Sequence, residues 1–135
     1  MKRPRVLLAD DHAPTAERLC KLLRAQFDVI ATVADGHALV DAAGRLSPDV
    51  IVTDIAMPGV DGIQAAIQIR RHDPSARVVL VTVHSEAMLV EAGLAAGALG
   101  YVLKDEAGDE LVPAVHAALE GHRYVSRLCR TGGEQ

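Results

Sequence analysis

Short β-rich runs alternate with segments of helical period five times along this chain, and that rhythm restricts the fold more than any other feature. The runs fall at 5–9, 28–34, 50–54, 77–82 and 99–103. The first, third and fourth are continuously apolar, which is how strands covered on both faces read. Between the runs, Ala16, Leu19, Cys20 and Leu23 recur at i, i+3, i+4, i+7, as do Leu39, Ala42, Ala43 and Leu46. Ile63, Ala66, Ile67 and Arg70 follow more weakly, while Leu111, Ala114, Val115, Ala118 and Leu119 make the clearest stripe. The alternation predicts an α/β fold with a doubly wound, five-stranded parallel sheet.

Turn residues mark the boundaries. Pro14 suits the first turn of the first helix, Ser47-Pro48 ends the second, and Asp73-Pro74 ends the third. Pro58-Gly59 and Asp61-Gly62 build the loop after Asp54. With Asp109 as N-cap, Pro113 falls at the edge of the last helix's first turn and forfeits one hydrogen bond at most. The fourth helix, Met88 to Gly97, carries Gly93 and Gly97 among alanines and has little side chain to anchor it, so it is expected to be the most mobile. Residues 1–122 read as one domain. Residues 123–135 lose the apolar period and read as a tail or the start of a linker.

Composition narrows the class. At 135 residues the chain can bury one real core. Its formal net charge of −4 leaves no basic stripe for nucleic acid. Cys20 and Cys129 share no metal or redox spacing, and Cys20, on an apolar helix face, is expected as a buried free thiol. The six histidines show no metal-ligand spacing either, and His12 reads as a loop residue. No signal peptide and no bilayer-length segment is read, so the expected compartment is the cytoplasm.

The polar residues at the ends of the apolar runs carry the chemistry. Asp10 and Asp11 follow Val6–Ala9, Asp54 follows Val50–Thr53, Thr82 closes Val78–Val81, and Lys104 follows Gly100–Leu103. In open α/β sheets, sites form beyond the carboxyl ends of the strands, so topology alone brings these scattered residues together. Unpaired buried carboxylates are costly, which calls for positive charge among them. An acid pair, a further acid, a hydroxyl and an ammonium are the parts of a Mg²⁺-assisted phosphoryl-transfer site. Each alone has an ordinary explanation: an N-cap, a strand end, β-propensity, a solvated lysine. The information lies in the set, with Asp54 43 positions after Asp11, Thr82 28 further on and Lys104 another 22.

That set, with Asp54-Ile-Ala-Met-Pro-Gly-Val-Asp-Gly62 and Gly97-Ala-Leu-Gly-Tyr-Val-Leu-Lys104, resembles the receiver domain of two-component response regulators over roughly residues 5–122. The resemblance implies a flavodoxin-like (βα)5 fold and Asp54 as phosphoacceptor, since carboxylates do form aspartyl-phosphates. It implies Mg²⁺ bound by Asp11, Asp54 and the Ala56 carbonyl, with Asp10 acting through water. Lys104 and the Thr82 hydroxyl would each contact a phosphoryl oxygen. Thr82 and Tyr101 would form the switch, although an aromatic half-exposed against the fourth helix needs no function. Val83, bulkier than the small residue most receivers carry, and His84, two places after Thr82, would modulate access to Asp54.

Lys104-Asp105, where many receivers have proline, together with Asp10-Asp11-His12, Gly121 and Tyr124-Val-Ser126, looks like the NarL/LuxR-type subfamily. That implies a phosphorylation-activated regulator of transcription, with at most slow autodephosphorylation rather than enzymatic turnover. A sensor histidine kinase would be the donor. A homodimer could form through the fourth helix, fifth strand and fifth helix, or through the first and fifth helices. DNA would be reached only through a helix-turn-helix domain absent from this chain, and no membrane contact is expected. The alternatives are a stand-alone receiver in a phosphorelay or protein-binding role, and an aspartyl phosphatase of the haloacid dehalogenase type. The latter is disfavoured because position 56 is Ala56 and not the required acid.

Overall fold

The apolar runs form a parallel sheet in which side chains alternate between two cores. In the computed structural model, which describes residues 2–129, the elements run β1 (Arg5–Ala9), α1 (Ala13–Arg24), β2 (Asp28–Val33), α2 (Gly36–Leu46), β3 (Val50–Thr53) and α3 (Gly62–His72). They continue as β4 (Val78–Thr82), α4 (Ala87–Ala95), β5 (Gly100–Leu103), a 3₁₀ turn (Lys104–Glu106), α5 (Ala107–Leu119), β6 (Tyr124–Val125) and a last 3₁₀ turn (Arg127–Cys129). The strand order is β2-β1-β3-β4-β5-β6, and every neighbouring pair is parallel.

Because successive strand residues point to opposite faces, Val6, Leu8, Val50, Val52, Val79, Val81 and Val102 meet the stripes of α1 and α5. Leu7, Ala9, Ile51, Val78, Leu80, Tyr101 and Leu103 meet α2, α3 and α4. Ala16, Leu19, Cys20 and Leu23 are the buried face of α1, as the periodicity requires, and Cys20 is a buried free thiol. Among the described residues no helix is long and apolar enough to cross a membrane.

Several details differ from expectation. The sheet gains a sixth short strand, because Gly121 takes a left-handed φ of 78° and returns the chain alongside β5, pairing Gly100 with Tyr124 and Tyr101 with Val125. Residues 124–129 therefore do not read as tail: Ser126 is wholly buried. The terminal Thr-Gly-Gly-Glu-Gln lies outside the described residues. Asp109 is not the N-cap of α5; the 3₁₀ turn runs directly into the helix, whose N-cap is Glu106. Pro113 thus falls inside α5, on its exposed side, where water can replace the missing bond. The face of α3 is also rotated, with Gly62, Ala65, Ala66 and Ile69 buried and Ile67 exposed.

Gly93 is a packing position rather than a mere weak point of α4. A β-carbon there would lie 2.6 Å from Leu80 Cδ1 and 3.3 Å from Tyr101 Cδ2. Its bareness is what lets α4 close over the Tyr101 ring.

Candidate functional site

The strand order reverses between β1 and β3, since β1 is followed on one side by β2 and on the other by β3. Crevices beyond the strand ends at such a reversal are where these sheets bind ligands. Ala9 is in register with Thr53, and the Asp54 amide donates to the Ala9 carbonyl at 2.9 Å. The next residues on each strand, Asp10 and Asp54, consequently stand side by side at the mouth of the crevice.

Both are nearly buried, with 3% and 7% exposure. Asp54 Oδ1 accepts the Ile55 amide at 2.7 Å, and Asp10 Oδ1 accepts the His12 amide at 2.9 Å. Asp11 is exposed, and one carboxylate oxygen from each of the three acids lies within 4.8 Å of the others. This trio could hold a metal ion. Neither acid of the pair caps α1 with its side chain; His12 does so, its Nδ1 accepting the Thr15 amide. The capping role that could have explained the acid pair is filled by its neighbour.

Lys104 reaches across from the end of β5. Its Nζ lies 2.9 Å from Asp54 Oδ2, to which it donates, and 2.9 Å from Asp10 Oδ2. Asp10 Oδ2 is wholly buried, and among the described residues this contact with the shared ammonium is the one it has. Burial alone would lower the Lys104 pKa, but the hydrogen bonds and charges of Asp54 and Asp10 outweigh it and hold the ammonium above its ordinary value. The cation is therefore firmly protonated, and two carboxylates share it.

Thr82 is fully buried at the end of β4, in register with Leu103, and its Oγ1 accepts the His84 amide at 3.3 Å. Val83 is 68% exposed. His84 Nδ1 lies 3.4 Å from Glu86 Oε2. Ala56 is exposed on the loop after β3, and a β-carbon on Gly62 would lie 2.0 Å from the Asp54 carbonyl. Only glycine lets α3 start this close to the acid.

Tyr101 is not half-exposed: it is the largest fully buried side chain. Its hydroxyl donates to the His84 carbonyl at 2.7 Å, tying β5 to the loop that follows Thr82. Burial first, then the negative charges of Cys129, Glu86 and Asp54, raise its pKa above the ordinary value.

One polar cluster escaped the sequence reading. Glu110, on the buried face of α5, accepts from the Ser126 hydroxyl and from the Arg127 amide at 3.3 Å. Ser126 Oγ accepts the Leu103 amide at 2.9 Å. The available signal was an acid next to Leu111 on a helix stripe that is otherwise apolar.

The model of the response regulator receiver domain matches residues 6–116. The chain belongs to that family. It is 40% identical over 139 aligned residues to the transcriptional regulatory protein LiaR of Bacillus subtilis, an alignment covering 95% of this chain and 66% of LiaR. Among solved structures, a LuxR-family two-component response regulator from Aurantimonas sp. superposes with a TM-score of 0.92 at 33% identity, covering 96% of this chain and 94% of that one. The isolated receiver domain of RcsB from Salmonella enterica serovar Typhimurium, solved with phosphomimetic BeF3-, gives a TM-score of 0.88 at 28% identity, covering 96% and 98%. Other curated regulators run longer, this chain spanning 52% to 55% of three of them. The receiver fold and a regulatory role in two-component signalling follow from membership, and the likeness is to regulators of the NarL/LuxR type.

Proposed function

We propose that Asp54 accepts a phosphoryl group in a Mg²⁺-dependent reaction, and that this modification switches the surface the domain offers to its partners. The observation that carries the reading is the shared lysine: one ammonium 2.9 Å from both Asp54 Oδ2 and Asp10 Oδ2, among three carboxylates. That arrangement leaves net negative charge in a crevice that must admit a phosphoryl dianion. An all-oxygen donor set with one buried carboxylate oxygen whose partner is only a shared ammonium fits a hard divalent cation. Asp11, Asp54 and the Ala56 carbonyl would hold Mg²⁺ directly and Asp10 through water. When bound, Mg²⁺ supplies the charge that cancels this repulsion.

In the transfer, a carboxylate oxygen of Asp54 bonds to phosphorus as the phosphorus–nitrogen bond of a kinase phosphohistidine breaks, and the leaving imidazole keeps the electron pair and takes up a proton. Lys104 moves its hydrogen bond from Asp54 to a phosphoryl oxygen, and the Thr82 hydroxyl donates to another. The Tyr101 hydroxyl, bonded to the His84 carbonyl, couples that threonine loop to β5. Val83 and His84, which follow Thr82 in the chain, set how readily donor and water reach Asp54. Slow hydrolysis of the acyl phosphate is the only turnover expected.

The donor is a sensor histidine kinase, in the cytoplasm. LiaR is a transcriptional regulatory protein, and for this chain the corresponding output is DNA binding through a helix-turn-helix domain outside these residues. Dimerisation would use α4, β5 and α5 or the faces of α1 and α5.

Incubation with phosphoramidate and Mg²⁺ should add one hydroxylamine-sensitive phosphoryl group, read by intact mass. Asp54→Ala should abolish it; labelling of that variant at the parental rate would refute the assignment.

A further inference from the structure

The main chain around Lys104 is pinned from two directions by groups outside the acidic pocket. One residue before Lys104, the Leu103 amide donates to Ser126 Oγ at 2.9 Å. That hydroxyl is wholly buried and directs its own proton to Glu110 Oε1, so its lone pairs are left for Leu103. Directly after the Lys104 α-carbon, Arg18 Nη2 of α1 donates to the Lys104 carbonyl at 2.9 Å. Arg18, Glu110 and Ser126 come from α1, α5 and the segment after β6. Among the described residues none of these three makes a hydrogen bond or ion pair with Asp10, Asp11 or Asp54.

The restraint has a physical use. A lysine carries a large rotamer entropy on its flexible stem, yet the Lys104 ammonium must meet two carboxylates at once. Misplacing a reacting group by about 1 Å can cost about a hundredfold in rate. The residue after Lys104 is Asp105, so no proline ring stiffens the turn that follows. The clamps supply that stiffness.

We propose that Arg18, Ser126 and Glu110 are positioning residues for Lys104, acting on phosphoryl transfer through its main chain and never touching the reacting atoms. The inference rests on the roles of Asp54 and Lys104 argued above. It also joins the segment that follows α5 to the pocket, because Ser126 belongs to that segment.

The chain contains three lysines, Lys2, Lys21 and Lys104, so reductive methylation read by peptide mass gives the reactivity of Lys104 against the exposed Lys2 and Lys21 as internal standards. In Ser126→Ala that ratio should rise about fivefold, the factor one ordinary hydrogen bond is worth. Phosphoramidate labelling should fall by a similar factor while Mg²⁺ affinity, measured by calorimetry, stays at the parental value. Arg18→Gln, altered only at an exposed side chain, should show the same split to a smaller degree, with Arg18→Lys restoring part of it. If Ser126→Ala fails to fold, Arg18→Gln decides alone. Parental Lys104 reactivity and labelling in a variant with an unchanged melting curve would overturn the proposal. If the parent takes no label but Lys104 reactivity still responds, the positioning role stands and the phosphoacceptor reading falls.

Discussion

Among the described residues two buried polar clusters, one at the ends of β1 and β3 and one where α5 meets the segment after β6, are built on opposite rules. In the second every oxygen is used: Glu110 accepts twice, and Ser126 both donates and accepts. In the first a buried carboxylate oxygen of Asp10 has only a shared ammonium for a partner, Asp11 stands exposed nearby, and two acids share one lysine. A saturated buried network rigidifies, whereas an unsaturated one stores a demand for a ligand. Its being unsaturated separates the crevice from ordinary structure more clearly than its depth does.

The contrast can be broken by truncation. Glu110→Ala removes the acceptor of two donors, the buried Ser126 Oγ and the Arg127 amide, and should cost about 3 kcal/mol by urea unfolding. A cost near zero would mean that the cluster is not saturated in solution. The demand of the other cluster is read by adding its cation. Mg²⁺ at about one hundred times its dissociation constant should stabilise the parent by about 2.7 kcal/mol. Asp11→Asn should show much less of that gain at the same concentration, and an equal gain would remove Asp11 from the ligand set.

The same contrast explains what the sequence revealed. The acidic pocket was legible because each of its parts ends an apolar run, and run ends in a parallel sheet converge by topology. Strand positions, the Cys20 face of α1 and the strand-end acids needed no coordinates. The Glu110 cluster was obscured because Ser126 lies beyond the point where helical periodicity stops, and a two-residue strand such as Tyr124–Val125 leaves no periodic trace. The burial of Tyr101 was hidden for another reason. It depends on Gly93, whose missing side chain reads as weak helix former until its contact with the ring is seen. The start of α5 was misplaced at Asp109 because a 3₁₀ turn leading into a helix carries no capping signature.

A smaller effect comes from relieving the pocket without metal. Asp10→Asn removes one of two charges competing for Lys104 while keeping an acceptor for the His12 amide, so metal-free stability should rise by about 1 kcal/mol. Glu110→Gln, in the saturated cluster, should destabilise instead. Matching signs for the two substitutions would erase the distinction between the clusters.

The smallest effect is a difference in alkaline stability. Lys104 is held above its ordinary pKa of 10.5, so its favourable contribution is complete below the unfolded value and is lost only as pH rises from there through the folded one. Tyr101 is likewise raised above its ordinary 10.0 and acts with the same sign in an overlapping window. Comparing the parent with Lys104→Met separates them, since both proteins keep Tyr101. The stability difference, from urea midpoints at each pH, should stay level from neutrality to about pH 10 and shrink above it. Shrinkage beginning near neutrality would mean that the ammonium is not held by Asp54 and Asp10. In that case the lysine would be no more committed to the crevice than one on the surface.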